Sequence, residues 1–567
     1  MNDRFATKTE VERIGVTCDI DGAIRVINST EKPGKSEWAK AKHLCPAGGP
    51  LLMAEDGHAV IKDDDSHSVC FASTGRGKTR RHVYPMMMSE ILSGSNVIVN
   101  DMKGEILETM RPLLDRMGYT TYVLDLRKPA ESPNRYNPLS IAWDEYHFGD
   151  KDAAFTYLRS FGLSIFSPLE GGDDPYWPAA ATDYFLGLAL GMLEAGVERD
   201  AFTIENVAYM DRYGNEKSGP RTALKEFFDS LGEDSIAHQF ASGTIYAPRD
   251  TQLSIVSVFR QPMSLYLGQQ GLMDALSRSD FSVQALTLEK RAIFVVSPDE
   301  THALGPVVVG IINQIMSALI SHAQAQHGGS LPRRVDFVLD EFGNLPTRVP
   351  DMGALVSAAR SRNIRLHLVL QSDHQLSQVY GEDLKEVILD NIDTWLYMGS
   401  RSYKFARHLS ELAGETTLPS GKVVPLMSVP QLQHLESRQD VTETLVFAGS
   451  LRPYVTALRD VGTYEVVPPT KSNSPVKRRI KRIKFDIREA ADQARTQRME
   501  KLIQKTAEQP KETKKPKPRR MRRIENRINT PATSEERNRH NDEGISAPLT
   551  EQRVVDFHIP EEDNPRT

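Results

Sequence analysis

Apolar residues fall into two rhythms along this chain. The first is the short, nearly continuous run: positions 68–72, 96–101, 120–126, 291–296, 335–339, 365–370 and 394–398 are dominated by Val, Ile, Leu, Phe and Tyr. Runs of this length, bounded by polar residues, predict strands buried on both faces. The second rhythm occupies 145–285, where apolar residues recur at helical spacing in 184–190, 224–231 and 253–259 and β-branched runs are few. That stretch predicts an all-α domain. Strands alternating with helical segments on either side of it predict an α/β fold, a mostly parallel sheet with helices on both faces. The predicted divisions are 1–65, an N-terminal segment with a small β element over Gly22–Ile27; 66–144, the first part of the α/β domain; 145–285, the helical insertion; 286–468, the second part; and 469–567, where periodicity fades. Pro85 should kink or end the first segment of the helix that follows position 79, because it lacks an N–H and crowds the preceding turn. Residues 486–506 predict at most a transient helix, in a tail whose composition is that of disorder.

The chemistry begins where the first strand ends. Ala72-Ser73-Thr74-Gly75-Arg76-Gly77-Lys78-Thr79 has the form of a phosphate-binding loop, with Ala72 in the position usually held by glycine. Gly75 and Gly77 let the backbone bend so that N–H groups converge on phosphate oxygens, and the following helix adds the positive end of its dipole. Lys78 would supply charge to the β- and γ-phosphates of ATP, and Thr79 a hydroxyl to Mg2+. The run 335–339 leads into Asp340 and Glu341, placing two carboxylates at the end of a buried strand. Such an edge is where α/β nucleotide sites carry metal-binding and catalytic groups. Asp340 is the expected metal ligand and Glu341 the residue that polarises water. Gln371, at the end of another strand, is positioned to sense the γ-phosphate. Arg360 and, as second choice, Arg362 are the arginines expected to reach a neighbouring subunit's phosphates.

Charge and composition narrow the setting. Hydrophobic residues make up 39% of the chain and charged residues 26%, as in a soluble globular protein. Three cysteines, all before position 71, argue for a reducing compartment, and His43-x-Cys45 lacks a second ligand pair for zinc. The first twenty residues are too polar for a signal peptide. The apolar stretch 307–320 is short and carries Asn313 and Gln314, so a buried helix is expected there and a cytoplasmic location for the protein. The formal net charge is −6, yet residues 477–527 hold 20 Lys/Arg against 7 Asp/Glu. A basic tail on an acidic body suggests contact with nucleic acid, anionic lipid or an acidic protein.

Several blocks in order resemble the conjugative type IV secretion coupling proteins, over roughly residues 34–465. They are Gly34-Lys35-Ser36-Glu37-Trp38-Ala39, the phosphate loop, Asn100-Asp101-Met102-Lys103-Gly104-Glu105, Tyr136-Asn137-Pro138-Leu139, Leu339-Asp340-Glu341-Phe342-Gly343-Asn344-Leu345-Pro346, and Gln371-Ser372 with Gln375-Leu376 and Tyr380-Gly381. The resemblance implies a RecA-like nucleotide domain interrupted by an all-α domain that recognises cargo. It implies homo-hexamers around a channel, ATP and Mg2+ at subunit interfaces, Arg360 as the trans-acting arginine and Gln371 as the sensor. It also implies single-stranded DNA, a relaxase or relaxosome, and channel ATPase or membrane components as partners. Most such proteins begin with two transmembrane helices. None is legible here, so a separate membrane protein is expected to recruit this chain to the inner face of the membrane. Two other readings stay open: an ATP-switched adaptor with little DNA-dependent turnover, and a double-stranded DNA pump, which would usually end in a compact winged helix.

Overall fold

The computed structural model of the protein describes residues 3–55, 57–167, 175–216, 221–298, 302–345, 347–469 and 481–508. Most of the basic tail, and Pro346 of the acidic-strand block, lie outside the described residues.

Among the described residues, the main sheet has nine strands: β1 Ser68–Phe71, β2 Asn96–Asp101, β3 Thr120–Asp125, β4 Arg291–Val296, β5 Val335–Leu339, β6 Ile364–Leu370, β7 Thr394–Tyr397, β8 Val441–Ala448 and β9 Tyr454–Arg459. Their spatial order is β9-β8-β7-β1-β6-β5-β2-β4-β3. β1 to β7 all run parallel, while β8 and β9 add antiparallel at one edge. The seven parallel strands coincide with the seven apolar runs, as expected for strands covered on both faces. Strands from the two halves of the chain interleave: β1 lies between β7 and β6, and β2 between β5 and β4. The α/β domain is therefore one sheet, interrupted in sequence but continuous in space.

The interruption is helical. Among the described residues, eight helices from Ser140–Phe148 to Gln270–Ala275 pack around Phe161, Tyr184, Phe185, Phe227, Phe228 and Phe259, all fully buried. The helix Gly305–Gln326 follows β4 and joins this group to the sheet. Its Gly310 lies under Phe161, where an added Cβ would come within 2.7 Å of the ring, and Asn313 donates to Ser160 Oγ. Among the described residues it is the one helix long and apolar enough to cross a membrane, and 72% of its apolar window is buried inside the protein. It is thus a core helix, as the sequence predicted, though longer than the apolar stretch suggested.

Three local features refine the sequence reading. Gly22–Ile27 is not a strand. It lies in the helix Ile20–Asn28, capped by Asp19, whose side chain accepts from Gly22 N, and buries Ile20, Ala23, Ile24 and Ile27. Those four fall at i, i+3, i+4 and i+7, and this spacing outweighs the β-branched composition. The strands of the N-terminal region are Val16–Cys18, Leu51–Glu55 and His58–Ile61, which form a small antiparallel sheet. At Pro85, the helix after the phosphate loop begins as a π-helical turn, Thr79–Val83, and continues as an α-helix, Tyr84–Ser93, with the proline in its first turn. The missing N–H thus falls where the hydrogen-bond register changes. The expected tail also begins with order: Ile487–Glu508 is a helix, and Ile487, Ala490 and Ala491 are buried.

Candidate nucleotide-binding site

The carboxyl ends of β1, β5, β6 and β7 converge on one edge of the sheet. The loop after β1 is pinned at its start: Ala72 N donates to Leu370 O (3.0 Å), and Ser73 donates to Gly399 O through both N (3.0 Å) and Oγ (3.1 Å). Gly75 and Gly77 then take left-handed conformations, φ +84° and +79°, which other residues adopt only at a cost. Two arginines brace the loop from outside. Arg76 donates to Leu435 O (2.8 Å) and Gln433 O (3.3 Å), and Arg81 donates to Arg76 O (3.0 Å) and Arg438 O (2.8 Å). Arg76 is thereby committed to the 433–439 segment rather than to the loop's concave side.

Lys78, Glu341 and Gln371 meet, as their positions in the sequence suggested. The buried Lys78 ammonium pairs with Glu341 Oε1. Glu341 Oε2 accepts from Asn344 Nδ2 (3.0 Å) and Gln371 Nε2 (3.3 Å). Gln375 closes the ring, accepting from Gln371 N (2.7 Å) and donating to Asn344 Oδ1 (2.7 Å). Its close approach requires Gly343, where a Cβ would stand 2.5 Å from that of Gln375. Glu341 itself has φ +52°, a left-handed conformation that costs a non-glycine residue roughly 1 kcal/mol or more. The sequence reading missed Asn344 and Gln375 as site residues. Their signals are spacings, Glu341-x-x-Asn344 across a 3-10 turn and Gln371-x-x-x-Gln375 into a helix, each meaningful only once the two turns are side by side.

Asp340 is differently placed. Asn100 Nδ2 donates to its backbone carbonyl (3.1 Å), but its Oδ1 is buried with no hydrogen-bond partner. Burial pushes its carboxyl up to about 7, and the charges of Glu341 and Asp101 push the same way against the pull of Lys78. A buried carboxylate short of positive charge, near a loop that ends in the half-buried Thr79, suits a divalent cation. Thr79 and Asp340 are the residues that would hold Mg2+. Asp101, at the end of β2, is occupied elsewhere: its carboxylate accepts from Gly104 N (2.8 Å) and Leu107 N (2.9 Å) at the start of the next helix.

The remaining two predicted residues lie apart. Arg360 ends the helix Met352–Arg360 just before β6 begins, so it sits at the amino edge of the sheet, opposite Lys78. It is exposed and pairs with Asp65 (3.3 Å). Arg362 folds back, donating to Ala358 O (2.8 Å).

Known proteins share this architecture. The bacterial conjugative coupling protein TrwBdeltaN70, unbound, superposes with a TM-score of 0.58 at 13% identity, over 83% of this chain and 95% of its own. TrwB in complex with the non-hydrolysable ATP analogue ADPNP gives 0.53 at 13% identity over 83% and 96%. TrwB with ADP and Mg2+ gives 0.54 at 14% identity over 84% and 96%. At these identities the likeness establishes a shared RecA-like fold. No curated protein sequence matches the chain. The family model for type IV secretory system conjugative DNA transfer matches residues 24–425, most of the sequence, and the chain belongs to that family.

Proposed function

We propose that this chain is an ATPase that couples nucleotide turnover to conjugative transfer of DNA through a type IV secretion channel. The observation that carries the reading is the ring joining Lys78 to Glu341, Asn344, Gln375 and Gln371, beside the unpaired oxygen of Asp340. The solved TrwB complexes with ADPNP and with ADP and Mg2+ support ATP and Mg2+ as the ligands.

Each residue then has a task. The backbone N–H groups of Gly75 and of Gly77 to Thr79 cradle the phosphates, and Lys78 serves two anions, the phosphates and Glu341. Mg2+, held by Thr79 and Asp340, would neutralise phosphate charge. Glu341 orients the attacking water and takes its proton, held in place by Asn344 and Gln371. Because Gln371 bonds both Glu341 and Gln375, a change at Glu341 is passed to the helix His374–Tyr380. Arg360 stands at the opposite edge from its own chain's loop and acts on a neighbour's phosphates, which calls for a ring, a homo-hexamer in the working form. Such an arginine contributes roughly 10³–10⁵ in rate where established. The DNA is single-stranded and arrives with its relaxase. Lys and Arg on channel loops follow its phosphates without reading sequence. A separate membrane protein recruits the chain to the channel. Membrane association in fractionated cells that lack the transfer system would overturn that step.

The test is ATP hydrolysis by the purified protein with and without single-stranded DNA, alongside Lys78→Ala. Strong stimulation that the variant loses is the expected result. Turnover indifferent to DNA would move the assignment to an adaptor that uses ATP as a conformational switch.

A further inference from the structure

The helical insertion contacts a stretch of chain that is not its own. Residues 481–486 run along the helices Ile204–Gly214 and Ala223–Leu231 without regular structure before the last helix begins at Ile487. Their backbone is read by one side chain. Asn206 is 2% exposed. Its Nδ2 donates to Ile483 O (2.8 Å) and Ala201 O (2.7 Å), and its Oδ1 accepts from Phe485 N (3.1 Å). Every hydrogen-bonding position of that amide except one acceptor lone pair is used, and two of its three bonds go to residues 483 and 485. A buried asparagine that grips the C=O and N–H of residues two apart recognises an extended backbone whatever its side chains.

Three side chains add selectivity. Arg482 pairs with the nearly buried Glu205 (2.9 Å) and donates to Gln270 O (3.1 Å). Phe485 sets its ring edge-on to Phe227 at 6.5 Å. Ile487 enters a slot beside Leu224 that exists because position 214 is glycine: a Cβ there would stand 2.9 Å from Ile487 Cδ1. Lys481, before the first anchor, and Ile483, Lys484 and Asp486, between the anchors, are exposed. A strand or helix of the domain core would bury a contiguous face. Residues 481–486 instead draw in only Arg482 and Phe485, as a bound extended peptide does, and a contiguous buried face begins only with the helix, at Ile487, Ala490 and Ala491.

We infer that this face of the helical insertion is an extended-peptide groove, filled in cis by the chain's own residues 482–487, and that a peptide of the same pattern displaces them. The pattern is basic, aromatic and aliphatic at the first, fourth and sixth positions. The occupied groove ties the end of the chain to the helical insertion, and a competing segment of this chemistry releases it. The inference rests on Asn206, Glu205 and Gly214 and is independent of the nucleotide site.

The test uses the full-length protein and a peptide of residues 481–491 carrying heavy isotopes, so that its amides are distinguishable from the chain's. In hydrogen exchange, the amides of 483–487 in the protein should be protected, and excess peptide should raise their exchange at least about tenfold while 96–101 stays unchanged. A peptide with Arg482→Glu and Phe485→Ala should have no effect. Full-length protein carrying those two substitutions should bind the fluorescent parental peptide at least about tenfold more tightly than the parent does, and Asn206→Ala should abolish that binding. Unprotected amides at 483–487, or protection that excess peptide leaves unchanged, would overturn the inference. So would equal binding of the peptide to parent and variant.

Discussion

Asp336 and Asp340 lie four residues apart, one near the start of β5 and one just past its end, and the protein treats them oppositely. Asp336 is fully buried. It accepts from Arg365 Nε (2.6 Å), with His367 at 3.4 Å and Glu90 beside both, 3.0 Å from His367. Burial pushes its carboxyl up, but the charge of Arg365 and the bond from His367 more than offset this and hold it well below the ordinary carboxylate range. Glu90, Asp336 and His367 present ligand atoms within 4.8 Å of one another, the spacing of a metal site. The guanidinium of Arg365 supplies one positive charge there, and His367 supplies a second: burial pushes its pKa down, but the charge of Glu90 and the bonds to Asp336 and Glu90 outweigh this and hold it above the usual value. At the other end of the strand, Asp340 and Glu341 share the single charge of Lys78, and Asp340 is pushed up to about 7. One end of the sheet is balanced by the chain itself and serves to hold strands and helix together. The other is one positive charge short, which suits it to a ligand that brings a cation.

Breaking the ligand end should cost function and leave the fold intact. Glu341→Gln should lower steady-state ATP hydrolysis by roughly 10²–10⁴ while retaining nucleotide, and Lys78→Ala should lose nucleotide affinity as well. Turnover by phosphate release and binding by a fluorescent nucleotide separate the two. Parental turnover in Glu341→Gln would remove it from the role of base. Breaking the balanced end should do the reverse. Arg365→Met leaves Asp336 and Glu90 buried with His367 as their one cationic partner and should destabilise the chain by about 3–5 kcal/mol in urea unfolding. The KM for ATP of the folded fraction should stay near the parental value. A raised KM with unchanged stability would mean that the two ends are not separate.

The two ends were unequally legible in the sequence. The seven parallel strands read directly because, covered on both faces, they are continuous apolar runs. β8 and β9 were missed because they alternate: Thr442, Thr444 and Val446 are buried while Val441, Glu443 and Phe447 are partly exposed. The phosphate loop, Asp340, Glu341 and Gln371 were legible because nucleotide chemistry demands those residue types at strand ends. Asn344 and Gln375 stand in the blocks that carry the resemblance, but their roles were not legible, since their partner is made by the fold. Neither was the balanced end. Glu90, Asp336, Arg365 and His367 are scattered over 278 positions of ordinary helix and strand, and an apolar-run reading absorbs them as strand composition. The docked residues 481–487 escaped because a segment that buries single side chains on another surface has no periodicity to detect.

A smaller effect probes the helix joining the two ends. It starts beside Lys78 and carries Glu90, and His82 in its π-helical turn is buried with neither ring nitrogen hydrogen-bonded. Burial, with a contribution from His367, holds its pKa down to about 3. The unfolded chain takes up this proton near pH 6.5 and the folded chain does not, so stability is full above pH 6.5 and falls with pH below it. The slope is about 1.4 kcal/mol per pH unit for one histidine. His82→Leu should therefore exceed the parent in stability by about 1–2 kcal/mol at pH 5.5 and match it more closely at pH 8. His67, held down to about 4, contributes the same sign in both proteins. A variant whose advantage is the same at both pH values would show that packing, not protonation, sets the difference.

The smallest effect on stability is expected at Arg360. It lies at the balanced end, yet its pairing is unlike that of Arg365: the Arg360 and Asp65 side chains are 56% and 50% exposed, and their contact is 3.3 Å. An exposed pair of this kind contributes about 0–1 kcal/mol, so Arg360→Ala should leave the urea midpoint almost unchanged. If it acts on a neighbour's phosphates, the same substitution should sharply lower turnover when the protein is assembled on DNA. Turnover should recover in part when Arg360→Ala subunits are mixed with Lys78→Ala subunits, because each supplies what the other lacks across the shared interface. Equal losses of stability and turnover, without recovery on mixing, would return Arg360 to the structural end of the sheet.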